Sequence, residues 1–166
     1  MSVNTREGRN RKGRERTEAP PSGRRLAELE RAYRRADYEL DTGDGPLSLQ
    51  IGRPAEDAAA WMAARGLQRL VLLTAWNPSS RPLTNAENTQ RQRRLEKAVA
   101  ESGLRVWPAR NRDPDGQWPD EPALAIADLP DDLLADWLEA FGQNAAVLLE
   151  PPATPRLVWH PALARW

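Results

Sequence analysis

The chain has no cysteine, a single histidine and no long run of apolar residues. Without cysteine there can be no disulfide framework, iron–sulfur cluster, thiolate zinc site or cysteine nucleophile. One histidine excludes histidine-rich metal sites, so we expect neither a bound metal ion nor a cofactor. No segment approaches the roughly 18 uninterrupted apolar residues that span a bilayer, and the basic N-terminus is followed by no apolar signal-peptide core. We therefore expect a cytoplasmic protein without membrane contact.

Basic and acidic side chains are equal in number, 24 of each, but unevenly distributed. Residues 1–25 carry eight basic and three acidic side chains, which leaves a net charge of −5 on residues 26–166. A mildly acidic domain argues against a broadly basic nucleic-acid-binding surface. Residues 1–24 contain too few apolar side chains to offset the entropy of ordering, so we predict a disordered basic tail. That tail could contact nucleic acid, although a solvated leader without function is the simpler interpretation.

From residue 25 onward, hydrophobic periodicity alternates between helical and strand patterns. A capping box, Thr84 with Glu87, marks the start of one helix, and glycines mark several helix ends. The predicted helices cover residues 25–36, 54–66, 84–102 and 131–141. The predicted strands cover residues 38–41, 47–51, 70–75, 104–109, 123–127, 145–149 and 156–159. This order predicts a single α+β domain over residues 25–166, with a central mixed β-sheet packed against three to four helices.

The segment of residues 74–80, with the sequence TAWNPSS, is the most informative. It joins a strand that reads as buried on both faces to the helix capped at Thr84, which is a frequent ligand position in α/β sheets. Asn77 and Ser80 offer hydrogen-bonding groups, and Trp76 offers a flat aromatic face. The alternative is a simple turn, because Asn-Pro-Ser-Ser forms turns without any ligand.

The helix that follows carries polar residues where its apolar stripe should continue. Leu95, Val99 and Ser102 set the predicted core stripe, and stepping back from Leu95 by seven and four positions gives Asn88 and Arg91. If this face meets the sheet, the guanidinium of Arg91 needs a carboxylate of the chain or an anionic ligand, because an unpaired buried charge is expensive. Alternatively, the helix overhangs the sheet edge and this half is solvated.

Residues 111–121 form the second candidate segment. The pattern N-x-D-x-D-G imitates the start of a calcium-binding loop, but the acidic residue is misplaced and strands flank it, so a β-turn is the better interpretation. Trp118 and Glu121 lie where the chain returns to the sheet, and Glu121 is a natural partner for Arg91. A metal held by Glu121, Asp120 and Asp113 has no further support in the sequence.

The third candidate segment, residues 141–145, links the last helix to a strand. Gly142 ends the helix, and Gln143 could reach a ligand, although a structural capping role is the simpler interpretation.

Four segments in order resemble a bacterial family of unknown function, domain of unknown function 3293. The resembling motifs are TAWNPxS at residues 74–80, NxxRxxxL at residues 88–95, WPDE at residues 118–121 and FGQNA at residues 141–145. The resemblance covers roughly residues 28–160 and matches the family's acidic residue to Glu121. It implies no established activity, only that these polar segments are those by which the family is recognised.

Two classes of function fit these observations. In the first, a small polar or anionic ligand binds in a cleft between the 74–80 loop, the first half of the 84–102 helix and the 111–121 loop. Glu121 would be the candidate general acid or base. The expected ligand-binding residues are Trp76, Asn77, Ser80, Asn88, Arg91, Trp118, Glu121 and Gln143. In the second, the polar cluster is structural and the protein is a non-enzymatic module that binds protein or nucleic acid.

Overall fold

A computed structural model describes residues 21–151 and 154–164. It contains four helices and seven strands in the order that the sequence predicts. The helices are α1 (Gly23–Arg35), α2 (Glu56–Ala63), α3 (Asn85–Ser102) and α4 (Asp131–Ala140). The strands are β1 (Asp37–Asp41), β2 (Pro46–Leu49), β3 (Leu70–Leu73), β4 (Val106–Arg112), β5 (Glu121–Ala127), β6 (Ala145–Leu149) and β7 (Arg156–Trp159). The predicted α+β class is therefore confirmed.

All seven strands lie in one sheet with the order β2-β1-β4-β5-β3-β6-β7. Every described pair of neighbours is antiparallel, so the predicted mixed sheet is wrong in this respect. The prediction assumed that strands joined through a helix become neighbours. Here β3 and β4, which α3 connects, run parallel but enclose β5, and β5 and β6, which α4 connects, run parallel but enclose β3. This is the split βαβ arrangement, in which an inserted antiparallel strand separates each parallel pair.

Two apolar cores lie on opposite faces of the sheet. Successive residues of β3 alternate between them: Leu70 and Leu72 pack on the side of α2, whereas Val71 and Leu73 pack on the side of α3 and α4. All four β3 residues are buried, as expected for a strand covered on both faces. The end of β3 is consequently the point where both layers meet, and the 74–80 loop begins there.

Helix α3 begins at the predicted position, but the residues that it buries against the sheet differ from the predicted ones. Thr84 and Glu87 form the expected capping box. The buried stripe consists of Asn88, Gln92, Leu95 and Val99, whereas Ser102, which was predicted to belong to it, is exposed. The polar half of the stripe is inserted against the end of β3 and does not overhang the sheet.

Helix α1, the first element of the described chain, packs on the same side of the sheet as α2. It starts at Gly23, where Ser22 accepts a capping hydrogen bond from the Arg25 N–H at 3.3 Å. The Tyr33 ring meets the Trp159 ring edge-on at 5.8 Å, which places α1 over β7. Residues 1–20 of the predicted tail lie outside the described residues. Among the described helices, none combines the length and apolar character needed to cross a membrane.

Candidate functional site

The 74–80 loop has an unusual backbone. Asn77, Ser79 and Ser80 adopt left-handed conformations, with φ values of 45°, 54° and 58°. An L residue in this region places its Cβ close to the following carbonyl oxygen, at a cost of roughly 1–2 kcal/mol. Such residues persist where surrounding contacts over-determine them, and they cluster at functional sites. The shape of this loop therefore depends on its neighbours.

Side chains from the first half of α3 satisfy the loop backbone. Gln92 Oε1 accepts from the Ala75 N–H at 3.0 Å, and Arg91 Nε donates to the Ala75 carbonyl oxygen at 3.0 Å. Asn88 Oδ1 accepts from the Asn77 N–H at 2.8 Å. Because the strand ladder has ended at this point, the side chains of α3 replace the strand partners that buried backbone groups require.

Asn77 and Asn88 form a second, reciprocal link. Asn88 Nδ2 donates to Asn77 Oδ1 at 2.8 Å and to the Leu83 carbonyl at 3.3 Å. The Leu83 N–H donates to the same Asn77 oxygen at 3.0 Å. With 1% of its surface exposed, Asn88 is buried as deeply as the core leucines. It therefore closes the loop onto the start of α3.

The turn between α4 and β6 holds the loop from the other side. The Ser79 N–H donates to the Gly142 carbonyl at 2.7 Å, and Gln143 Nε2 donates to the Trp76 carbonyl at 3.0 Å. Asn144 Nδ2 donates to Ser80 Oγ at 3.0 Å. Gln143 therefore links the α4–β6 turn to the 74–80 loop.

Arg91 does not pair with a carboxylate among the described residues. Its Nε donates to the Ala75 carbonyl, and its Nη2 donates to the Phe141 carbonyl. Burial lowers the pKa of Arg91, and the neighbouring Arg94 lowers it further. The prediction that Glu121 is its partner is wrong, because its described hydrogen bonds go to two main-chain oxygens. Arg91 joins the 74–80 loop to the end of α4.

Replacing Arg91 by methionine should lower the free energy of unfolding by about 1–3 kcal/mol. Methionine keeps the apolar stem but leaves the carbonyls of Ala75 and Phe141 without their charged donor. Urea denaturation measures the loss. The exposed Arg94, replaced in the same way, is the matched control and should change stability by less than about 0.5 kcal/mol. Equal effects of the two substitutions would contradict this role.

Glu121, the first residue of β5, carries the half-buried carboxyl group of the site. Its Oε1 accepts from Asn77 Nδ2 at 2.7 Å, and Asn111 lies opposite it on β4. Burial raises the pKa of Glu121, and the Asn77 and Asn111 side chains offset part of this increase. Among the described residues no cation forms an ion pair with this carboxylate, and its described hydrogen bond comes from a neutral amide.

Two tyrosines lie beside Glu121 on the α2 side of the sheet. The Tyr33 hydroxyl, from α1, lies near the Ser80 and Asn144 side chains, and the Tyr38 hydroxyl donates to the Tyr33 carbonyl at 2.9 Å. Burial raises the pKa of both hydroxyls, and the nearby negative charge of Glu121 raises it further. Helix α1 therefore contributes to the same polar cluster as the 74–80 loop.

The neighbouring acidic residues have other partners. Asp120 approaches Arg110 and Arg112 at 3.6 and 3.5 Å, and both arginines also pair with Glu39. Asp113 accepts backbone N–H bonds inside its own loop, and the Gly116 N–H closes the predicted β-turn at 3.0 Å. Within residues 21–151 and 154–164, no group of three His, Asp or Glu side chains could hold a metal ion.

The structure brings most of the predicted site residues together. The hydrogen bonds connect seven of them through the loop: Trp76, Asn77, Ser80, Asn88, Arg91, Glu121 and Gln143. Trp118 is not linked to them by these hydrogen bonds and is 65% exposed in the loop between β4 and β5. The Trp76 indole N–H is buried and has no hydrogen-bond partner among the residues that the structure describes.

Four further residues belong to the cluster and were missing from the predicted set: Tyr33, Gln92, Asn111 and Asn144. Gln92 had a signal, because it lies four positions after Asn88 and three before Leu95 on the same helix face. Tyr33 had none, since only the tertiary fold brings α1 to the 74–80 loop.

A separate hollow of about 340 Å³ lies elsewhere on the sheet and contains none of the predicted site residues. It is lined by Glu39, Asp41, Pro46, Pro108, Ala109 and Arg110.

Residues 73–146 match the model of one protein family, described as Protein of unknown function (DUF3293). Over that stretch the chain is similar to the DUF3293 family. The resemblance drawn from the four motifs is confirmed, although the matched stretch is shorter than the residues 28–160 expected. No curated protein and no solved structure gives a match to the chain.

The DUF3293 stretch contains the loop and most of what holds it. It begins at the last residue of β3 and includes α3, β4, β5 and α4. Asn77, Asn88 and Glu121 all fall inside it, whereas Tyr33 and Tyr38 precede it. The tyrosines beside Glu121 therefore come from the part of this chain outside the matched stretch.

Proposed function

We propose that the 74–80 loop and Glu121 form a binding site for a small polar ligand. The observation that carries this proposal is the half-buried Glu121 carboxyl group, which has no positively charged partner in the part of the chain that the structure describes. Removing a carboxylate from water without a countercharge costs free energy. A group that weakens the fold in this way is typical of a functional site.

The conformation of the loop supports the same proposal. Its three left-handed residues are held by bonds from α3, from the α4–β6 turn and from Glu121. Binding constellations need supporting residues that lock the contacting groups in place. In this proposal Asn88, Arg91 and Gln143 position the loop, and Glu121, Ser80 and Tyr33 are the ligand contacts. Trp76 and Trp118 are proposed as aromatic contacts of the ligand.

The proposed ligand is polar rather than anionic. The sequence predicted a polar or anionic ligand, the latter because the Arg91 guanidinium was expected to point into the site in need of a negatively charged partner. In the structure Arg91 instead donates to two carbonyl oxygens. The raised pKa of Glu121 also suits a general acid or base, should the ligand be a substrate.

The second candidate function is a non-enzymatic interaction module in which the cluster is structural. One observation favours it: the side chains of Asn88, Arg91 and Gln143 have their partners within the chain. The bacterial origin and the cytoplasmic location remain predictions from the sequence.

A thermal-shift screen distinguishes the two functions. The native chain and the Glu121→Gln variant are heated with small alcohols, polyols, amides, amines and carboxylates, with Glu96→Gln as a control on the exposed side of α3. A binding site predicts compounds that raise Tm for the native chain and the control but not for Glu121→Gln. If every compound shifts all three proteins equally, or none is active, the structural module is the better account.

The proposal also predicts that Glu121→Gln stabilises the fold at neutral pH. Because burial raises the pKa of Glu121 in the folded state, the unfolded chain releases this proton at lower pH than the folded chain. The carboxyl's contribution to stability therefore falls as the pH rises from the unfolded to the folded pKa, and stays low above it. Glutamine keeps the oxygen that accepts from Asn77 and carries no charge.

Urea denaturation of both proteins at several pH values measures this effect. The variant should exceed the native chain in unfolding free energy at pH 7.5, and the difference should shrink as the pH is lowered and Glu121 becomes protonated. A variant that is less stable than the native chain at pH 7.5 would show that the ionised carboxylate stabilises the fold.

A further inference from the structure

We propose that the ligand of this site carries a protonated amine or a guanidinium group that pairs with the Glu121 carboxylate. This inference rests on the proposed function and names its ligand class. The half-buried Glu121 carboxylate accepts a hydrogen bond from an amide and has no described positively charged partner. An organic cation would supply that partner. A charge-assisted hydrogen bond of this kind is about twice as strong as a neutral one.

Three arginines near Glu121 in the sequence or the fold have other hydrogen-bond partners. Arg91 donates to the carbonyls of Ala75 and Phe141. Arg110 and Arg112 pair with Glu39 at 2.6 Å each and approach Asp120. The positive charge of the exposed Arg25 of α1 slightly lowers the pKa of Tyr33. Arg25 forms no described ion pair with Glu121.

Strand geometry separates the two neighbouring acids. Side chains alternate between the faces of a sheet, so Glu121 shares a face with Ala123 and Ala125, whereas Asp120 points to the other side. Ala125 packs in the core on the α2 side. The arginine pairs of Asp120 therefore lie across the sheet from Glu121 and leave its charge uncompensated.

The groups around Glu121 suit a cation and would oppose an anion. Tyr38, Asn111 and Glu121 form a row across β1, β4 and β5, with Tyr38 opposite Asn111 and Asn111 opposite Glu121. Tyr33 adds its hydroxyl from α1. Carboxylate, amide and phenol oxygens are acceptors for ammonium and guanidinium hydrogens, and aromatic faces attract cations. An anionic ligand would face the Glu121 charge at close range.

Probes of similar size and different charge test this assignment. The full chain is titrated at pH 8 with ethylguanidinium, with the neutral ethylurea and with propionate, while NMR follows the Asn77, Asn111 and Glu121 amide signals. We expect ethylguanidinium to bind at least ten times more tightly than either other probe. This preference should disappear in Glu121→Gln, persist in Glu96→Gln, and weaken as the pH is lowered and the carboxylate is protonated.

The outcomes separate the two proposals. If ethylurea or propionate binds as tightly as ethylguanidinium and depends on Glu121, the site exists and the cationic ligand class is wrong. If no probe moves these signals at concentrations where the fold remains intact, both the ligand class and the binding site are overturned. If ethylguanidinium binds equally to native and Glu121→Gln chains, its contact lies elsewhere, and the pairing with Glu121 is refuted.

Discussion

Replacing Asn88 by alanine should lower the free energy of unfolding by about 2–4 kcal/mol. The substitution removes the acceptor of the Asn77 N–H and the donor to the Leu83 carbonyl, at a position that is 1% exposed. Each buried group left without a partner costs about 1–3 kcal/mol. The left-handed Asn77 also loses one of the bonds that hold it in place. Urea denaturation measures the loss.

Two further variants isolate the cause. Asn88→Leu restores the buried volume but no hydrogen bond, so we expect it to be as unstable as Asn88→Ala. Gln90→Ala removes an exposed side chain from the same helix and should change stability by less than about 0.5 kcal/mol. If leucine restored native stability, packing and not hydrogen bonding would explain the burial of Asn88.

The second large effect is expected at Gly142, where alanine should cost about 2–5 kcal/mol. Gly142 has a φ of 63°, and a Cβ added there would lie 3.0 Å from the Pro78 Cβ and 3.7 Å from Arg91 Nη2. The left-handed conformation costs a non-glycine residue roughly 1–2 kcal/mol, and overpacking adds about 1–3 kcal/mol. Thermal or urea unfolding of the variant gives the total.

Gly103 supplies the matched control for this substitution. It ends α3 with a φ of 72°, and a Cβ there meets nothing within 4 Å. Gly103→Ala should therefore cost only the free energy of the left-handed backbone conformation, about 1–2 kcal/mol. The difference between the two variants measures how tightly the α4–β6 turn presses on the 74–80 loop. Equal losses would mean that the turn and the loop do not interlock.

Local signals in the sequence were sufficient to predict most of the elements. Strands β6 and β7 have the predicted bounds, and the Thr84–Glu87 capping box begins α3 where expected. These features depend on residues close together in the chain. The pairing of strands depends on distant segments, so the sequence did not reveal that an antiparallel strand separates each helix-linked pair.

The candidate site shows the same division. The polar stripe at Asn88 and Arg91 correctly indicated that α3 meets the 74–80 loop. The partner of Arg91 could not be inferred, because main-chain carbonyls occur at every residue and leave no mark in the sequence. The contribution of Tyr33 was equally hidden, since α1 reaches the cluster only through the packing of the sheet.

The most direct test of the central claim is the pKa of the Glu121 carboxyl group in the folded chain. A carbon-13 NMR titration of the glutamate side chains measures it, and the signal absent from Glu121→Gln identifies the residue. An uncompensated half-buried carboxylate predicts a value above the ordinary glutamate pKa of about 4.3. A value at or below the ordinary one would mean that a nearby cation, hydrogen bonds or solvent already stabilise the ionised Glu121, and would contradict the proposed site.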